Sequence, residues 1–285
     1  MARTDTCVPA AVSRGIVVFI SLVLIFLLSS CTKYPSTEDT PKIVIQGFLY
    51  LGEPVDDIQI TLPVPVFSED TVAPPVNDAE VVLIKNGVRY PLMPQPKREG
   101  YYYYPGSELT VEEGDKFELQ VFYEDQFYRA ITVVPSPPRG VRVTPERFLI
   151  EDVDEDYLTL FWTVKGQAGE YFYVLIENID AEPKPLVFPH SPNPPREPQT
   201  SRRFVSAPFS ESYFVVTPYN LAYAGRHYAR VYRVNQEYAD LFIRQDENPR
   251  NLSEIPTNIE NGLGIFTALS ASDSVFFDVQ QRTRR

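Results

Sequence analysis

Cysteine is almost missing from this chain: two in 285 residues, Cys7 and Cys31. That excludes a disulfide framework, so any fold must stand on its cores alone. Histidine is equally scarce, with His190 and His227 far apart and neither carrying a partner at metal-ligand spacing. There is no G-x-S-x-G, no phosphate-binding glycine loop and no H-E-x-x-H. No catalytic residue, cofactor or metal ligand is therefore expected. Basic residues are outnumbered 26 to 38, for a formal charge of −12. A chain so acidic has no electrostatic reason to seek nucleic acid or anionic lipid headgroups. Long hydrophobic runs are lacking too. The longest, Ile16 to Leu28, has thirteen residues, and a membrane-spanning helix needs about 20.

What the chain has in quantity is aromatic and proline residues: 18 Tyr, 18 Phe and 27 Pro. Hydrophobic residues reach 44%, enough for packed cores. Aromatics and prolines without long runs of helix formers favour strands joined by turns. The length allows two domains of ordinary size. The expected class is mostly β, with two consecutive β-sandwiches.

The apolar stretch at the N-terminus has Arg3 and Arg14 before it and Ser29, Ser30 and Cys31 after it. A charged start, a short apolar middle and a small-residue end make a secretory signal, residues 1–30. Leu28-Ser29-Ser30-Cys31 resembles the bacterial lipobox. That resemblance implies cleavage between Ser30 and Cys31 and acylation of Cys31. Removing residues 1–30, whose Arg3, Arg14 and Asp5 sum to +1, would take the formal charge from −12 to −13. Acyl chains supply the membrane attachment that charge cannot, because two or more hold stably. Residues 31–41 then read as a lipidated polar tether. Lys33 stands second after the cysteine, and the nearest acids wait until Glu38 and Asp39. Surface-exported lipoproteins of Bacteroidota often carry acids directly after the cysteine, and their absence here makes the expected place the outer membrane, facing the periplasm rather than the cell surface.

Residues 42–135 read as short strands about ten residues apart. "KIVIQGFLYL" and "DIQITLPVPVF" alternate, and "AEVVLIKNGVRYPL" is a hairpin about Asn86-Gly87, a pair that tolerates positive φ. "GYYYYPG" is a strand between glycines, and "LTVEEGDKFELQVFYEDQFYRAITVVP" predicts three more, with turns at 113–115 and 124–125. Ala79, Val81 and Leu83, then Gly100 and Tyr102, then "GDKF" resemble the carboxypeptidase regulatory-like, transthyretin-type sandwich. Such domains serve as scaffolds. Within Tyr101–Tyr104, alternate residues face opposite sides of a strand. Tyr102 and Tyr103 are the candidate binding surface, for sugar stacking or a partner. Ordinary sheet packing is the competing reading.

"PSPPRG" from Pro135 to Gly140 is a stiff boundary. Beyond it, Trp162 in the alternating Leu158-Leu160-Trp162, then Tyr171 to Ile176, resemble core strands of a fibronectin type III domain, residues 136–285, and Tyr228 falls where that fold keeps a strand-F tyrosine. The spacing departs at 180–208, an insertion with seven prolines between Pro183 and Pro198, expected to be extended. One helix is predicted after Asn235, which can cap it, with Tyr238, Leu241 and Phe242 on one stripe. Asp152, Asp154 and Asp156 have the spacing of a calcium loop. Tyr157 replaces its glycine, however, and Thr163 its bidentate glutamate, so a solvated turn is the better reading.

"NIENGLGIF" (Asn258 to Phe266), the lipobox and "IVIQG" (Ile43 to Gly47) together resemble a Bacteroidota lipoprotein family, domain of unknown function 4249. Locally the motif reads as a glycine turn admitting a late strand to the sheet. The resemblance implies no assigned activity. Because members are commonly encoded beside TonB-dependent outer-membrane receptors, it implies such a receptor as partner. The resulting expectation is a non-catalytic, lipid-anchored binding or assembly accessory. A direct glycan or peptide binder is the alternative.

Overall fold

The computed structural model describes residues 43–64, 72–163, 169–187, 201–243 and 256–282. The signal, Ser30, Cys31, the tether, His190 and residues 188–200 of the insertion lie outside the described residues. Seventeen strands and one α-helix are present among those described.

Strands β1 (Val44–Tyr50), β2 (Asp57–Thr61), β3 (Glu80–Lys85), β4 (Val88–Pro94), β5 (Tyr101–Tyr103), β6 (Lys116–Tyr123) and β7 (Gln126–Val133) fill the first half. The hairpin β3–β4 turns at Asn86 and Gly87, with φ of 51° and 82°, the left-handed values a two-residue hairpin needs. Only β6 and β7 form where three strands are predicted. Leu109 and Val111 are buried, but their backbone leaves the ladder. The Val111 carbonyl instead accepts the Gly52 N–H at 2.9 Å.

The second half contains β8 (Arg139–Thr144), β9 (Arg147–Ile150), β10 (Leu158–Thr163), β11 (Tyr171–Asn178), β12 (Lys184–Pro185), β13 (Arg203–Val205), β14 (Tyr213–Val216) and β15 (Tyr223–Val234). Helix α1 (Gln236–Ile243) follows, then β16 (Leu263–Ala271) and β17 (Val275–Gln281). Strands β14, β10 and β8 make a small sheet, and the others form one large sheet ordered β13-β11-β15-β16-β1-β2-β5-β4-β3-β6-β7, with β17 and β12 on β15 and β9 on β17.

Two pairings are parallel, β1 with β16 and β9 with β17. The first is decisive for the architecture. Strand β15 is twelve residues long. Its early part pairs with β17 and its last residues with β16. Strand β16 then lies beside β1, so a C-terminal strand completes the sheet that the N-terminal strands begin.

Two main cores follow. Ile43, Ile45, Ile58, Leu83, Tyr102, Phe117 and Leu119 belong to the first, which also takes Ile259, Phe266 and Ala268 from the C-terminal region. The second packs Val143, Leu158, Leu160 and Trp162 against Phe172, Val174, Ile176, Val231, Phe277 and Val279. Trp162 sits edge-on to Phe172 at 5.4 Å, in the core as its alternation predicts. Residues 41–285 cluster as one unit that holds both cores.

On the outer face of β6 and β7, Arg129 grips Glu118 with Nε and Nη2 at 2.8 and 2.9 Å. Gln120 also donates to that carboxylate, at 2.7 Å. These bonds, Arg129 foremost, hold the Glu118 carboxyl down at about 2. A depressed carboxyl adds stability above its unfolded value, about 4.3, and loses it as pH falls toward the folded value. The stability difference between wild type and Glu118→Gln is therefore expected to be constant above pH ~5 and to shrink steadily toward pH ~2. Urea midpoints across that range measure it, and a flat difference would refute the assignment.

Candidate functional site

In the glycine-rich motif at 258–266, six of the nine residues have a clear structural task. The Asn258 side chain closes the loop on Phe266, with Nδ2 donating to the carbonyl at 2.7 Å and Oδ1 accepting the N–H at 2.9 Å. Ile259 enters the first core. The Glu260 N–H donates to the Arg129 carbonyl at 2.7 Å, tying the motif to β7. Asn261, at φ 65°, donates from Nδ2 to the Phe127 carbonyl at 3.0 Å. Gly264, at φ 101°, lies so close to Ile45 that a Cβ would overlap the Ile45 carbonyl oxygen. The expected turn and strand are observed, and the motif is a closure between the two ends of the chain.

Contrary to the expected binding surface, the tyrosine stretch turns one of its two candidate rings inward. Tyr102 is fully buried in the first core. Its hydroxyl donates to the Val76 carbonyl at 3.0 Å and accepts the Ala79 N–H at 3.1 Å, so it offers no surface to a ligand. Burial, its main cause, pushes the Tyr102 hydroxyl pKa above the ordinary value. Tyr103 is half-buried on the opposite side of β5. Tyr101 carries the Arg98 guanidinium 3.6 Å above its ring, and Tyr104 meets Tyr90 edge-on at 5.4 Å. Alternation places these rings correctly by side, but the side taken by Tyr102 is the core.

The acidic run at 151–157 is a self-satisfied turn. Asp156 accepts the N–H groups of Glu151 and Asp152 at 2.6 and 2.7 Å. Asp152 accepts that of Asp154 at 2.9 Å, and Asp154 accepts the Tyr219 hydroxyl at 2.7 Å. The three aspartates are thus spent on backbone and hydroxyl donors, and Glu151 pairs with Arg282. Among the described residues, no group of three or more His, Cys, Asp or Glu side chains is placed to hold a metal ion. No helix of the described residues is long and apolar enough to cross a membrane.

His227 is buried in the first half of β15, its ring stacked on Phe277 with centroids 5.3 Å apart. Nδ1 lies 2.9 Å from the Gly225 carbonyl and Nε2 3.4 Å from Asn178 Nδ2. A carbonyl only accepts, so Nδ1 bears the hydrogen and Nε2 receives the amide hydrogen of Asn178. Burial holds the His227 pKa below its ordinary value, against the pull of the Gly225 carbonyl and of Asp180 and Asp278.

The surface best suited to a macromolecular partner lies on the outer face of β13, β11, β15 and β17. Alternation along "RHYARVYRV" puts His227, Ala229 and Val231 inside and Tyr228, Arg230 and Tyr232 outside. There Glu177 accepts Arg203 at 2.8 Å and the Tyr228 hydroxyl at 2.9 Å, and Arg226 lies over Phe276 at 5.1 Å. Val205 and Phe276 are 48% and 49% exposed, leaving apolar area between arginines and tyrosines, the mixture that protein interfaces favour. Farther along the same face, Tyr173 and Tyr232 stack at 4.6 Å. Helix α1 covers them through Tyr238, which lies 5.9 Å from Tyr173 and 6.4 Å from Phe48. Asn235 precedes this helix and binds β7, Nδ2 donating to the Val133 carbonyl at 2.9 Å. The sequence carried the signal for this face in the Tyr/Arg alternation of β15. What it lacked was the neighbours that set Glu177, Arg203 and Phe276 beside it.

These features define a mostly β protein with two cores, closed by a motif near its C-terminus. The chain belongs to the family described as Domain of unknown function (DUF4249), which matches residues 32–274. No curated protein matches it. Among solved structures, one titled as a cytokine receptor complex is 10% identical, with a TM-score of 0.25, 83% of this chain covered and 95% of that one. A bacterial ice-binding adhesin concerned with host cell surface retention is 11% identical, TM-score 0.22, covering 85% and 66%. A DUF4785 family protein from Legionella pneumophila is 12% identical, TM-score 0.21, covering 68% and 52%. Likeness at this level supports no inference about fold or function.

Proposed function

We propose that this protein is a non-catalytic, lipid-anchored binding or assembly accessory of the bacterial outer membrane, facing the periplasm and serving a TonB-dependent transporter. The lipobox-like Leu28 to Cys31 behind a thirteen-residue apolar stretch carries the reading. The family match opening at residue 32, directly after Cys31, supports it. The arginine- and tyrosine-bearing face of β11, β13, β15 and β17 is the partner surface in this reading. The alternative, a direct glycan or peptide binder, loses Tyr102 to the core and keeps the half-exposed Tyr103.

The finer architecture belongs to the same proposal: a transthyretin-like sandwich to about residue 135, then a fibronectin III-like one. Supporting the second is the division of strands about its core, with β8, β10 and β14 on one side and β13, β11, β15 and β17 on the other.

Cys31→Ala is expected to abolish incorporation of a clickable fatty acid and to move the protein from the membrane to the soluble fraction. Affinity purification of the wild type from detergent-solubilised envelopes is expected to recover a TonB-dependent transporter. Undiminished acyl labelling in the variant would overturn the anchor. Repeated recovery without any envelope protein would overturn the accessory role.

A further inference from the structure

We infer that His227 and Asn178 form an acid-released clasp, which fastens to β15 the chain that leaves β11 and, through it, the chain that returns at Arg202. The clasp is a chain of bonds through Asn178 and Asp180. Asn178 Nδ2 donates to the Ala224 carbonyl at 3.0 Å, while its other hydrogen faces His227 Nε2. Its Oδ1 accepts the Asp180 N–H at 3.1 Å. The Asp180 carboxylate accepts the Arg226 N–H at 3.1 Å and fills the space a side chain at residue 225 would need; that residue is glycine, at φ 102°. The Asp180 carbonyl accepts Arg202 Nη1 at 3.1 Å, and the Asn178 N–H donates to the Arg202 carbonyl at 2.9 Å. Chain leaving β11 at residue 179 and chain returning at Arg202 are thus held at one point, and the Asn178 amide orients that point.

That orientation suits only a neutral ring. A proton arriving from solvent must go to Nε2, since Nδ1 already bears one. Nε2–H then faces the Asn178 amide nitrogen, donor against donor. Turning the amide over would cure that contact but would set its nitrogen against the Asp180 N–H and its oxygen against the Ala224 carbonyl. Either way the arrangement that orients Asn178, and through it Asp180, is destabilised. The charged groups nearest the ring are the carboxylates of Asp180, in the chain after β11, and Asp278 on β17; both favour the imidazolium. On β11 Glu177 points to the opposite face, toward Arg203, and on β15 Arg226 lies over Phe276 and Tyr228 bonds Glu177. Phe277 is the neutral stacking partner. Burial outweighs the two carboxylates, so the closed clasp prefers the neutral ring. The sign follows: the closed form is fully favoured above the free imidazole value, about 6.5, and is progressively lost as pH falls below it.

Backbone amide exchange on the full-length protein in detergent, corrected for intrinsic rates, tests this. Between pH 7.5 and 5.0, protection at 178–181 and 224–227 is expected to fall by about fivefold or more, while β1 and β2 stay unchanged. In His227→Gln that fall disappears. Asn178→Asp supplies a carboxylate to Nε2–H and is expected to reverse the sign, gaining protection on acidification. NMR of labelled histidine, assigned with His190→Gln, should show the Nδ1–H tautomer at pH 7.5 and a midpoint below 6.5 for His227. Flat wild-type protection, an undiminished fall in His227→Gln, no reversal in Asn178→Asp, or an Nε2–H tautomer would each overturn the clasp. Should His227→Gln not fold, the wild-type profile, Asn178→Asp and the tautomer still decide.

Discussion

Gly264→Ala is expected to lose about 3 kcal/mol of stability or more. Two costs add. The backbone there stands at φ 101°, which an L-residue with a Cβ rarely adopts. The added methyl would also overlap the Ile45 carbonyl oxygen, a backbone atom fixed by the β1–β16 ladder that pairs Ile45 with Gly264. Relief would require parting the two strands, and with them the join between the N-terminal sheet and the C-terminal region. Gly114→Ala is the control. It too has positive φ, 84°, but open space where the Cβ would go, so only the strain applies, about 1 kcal/mol. For a chain of this size the two should differ by several degrees in melting temperature. Equal losses would show that close approach to Ile45 does not matter.

Tyr102→Ala is expected to cost about 3–5 kcal/mol from the cavity alone, as for other buried aromatic truncations. The Ala79 N–H and Val76 carbonyl, left without the hydroxyl, add to that. Tyr103→Ala, on the half-exposed side of the same strand, should stay within about 1 kcal/mol. Urea denaturation of both variants measures the contrast. Similar values would contradict the inward orientation of Tyr102, and a ligand lost by Tyr103→Ala alone would return this strand to the list of binding surfaces.

Adjacent tyrosines thus differ in role although nothing in "YYYY" distinguishes them. Period-two alternation says that Tyr102 and Tyr103 face opposite ways. Which way is inside depends on what β5 packs against, and that includes Val76 and Ala79, more than twenty residues earlier. The hairpin at Asn86-Gly87, the positive-φ turn at Gly114, the strand carrying Trp162 and the helix after Asn235 were all legible, because each is set by local backbone preference or short-range pattern. The expected strand at Leu109 to Val111 failed for the complementary reason. Those residues are apolar enough to be buried, but burial does not supply a neighbouring strand.

By itself, then, the sequence determined a mostly β chain, the position of its turns and the apolar alternation of its strands. These rest on properties of residues and their near neighbours. The tertiary structure decided which strands meet. The parallel pairing of β1 with β16 joins residues more than two hundred positions apart, and no local preference encodes it. That pairing sets Gly264 against the Ile45 carbonyl, where a Cβ has no room. Long-range packing likewise takes Tyr102 into the core, sets Arg203 and Phe276 beside Tyr228, and seals His227 against Asn178. Such arrangements follow from burying the faces of both sheets at once, a condition that only the folded chain satisfies.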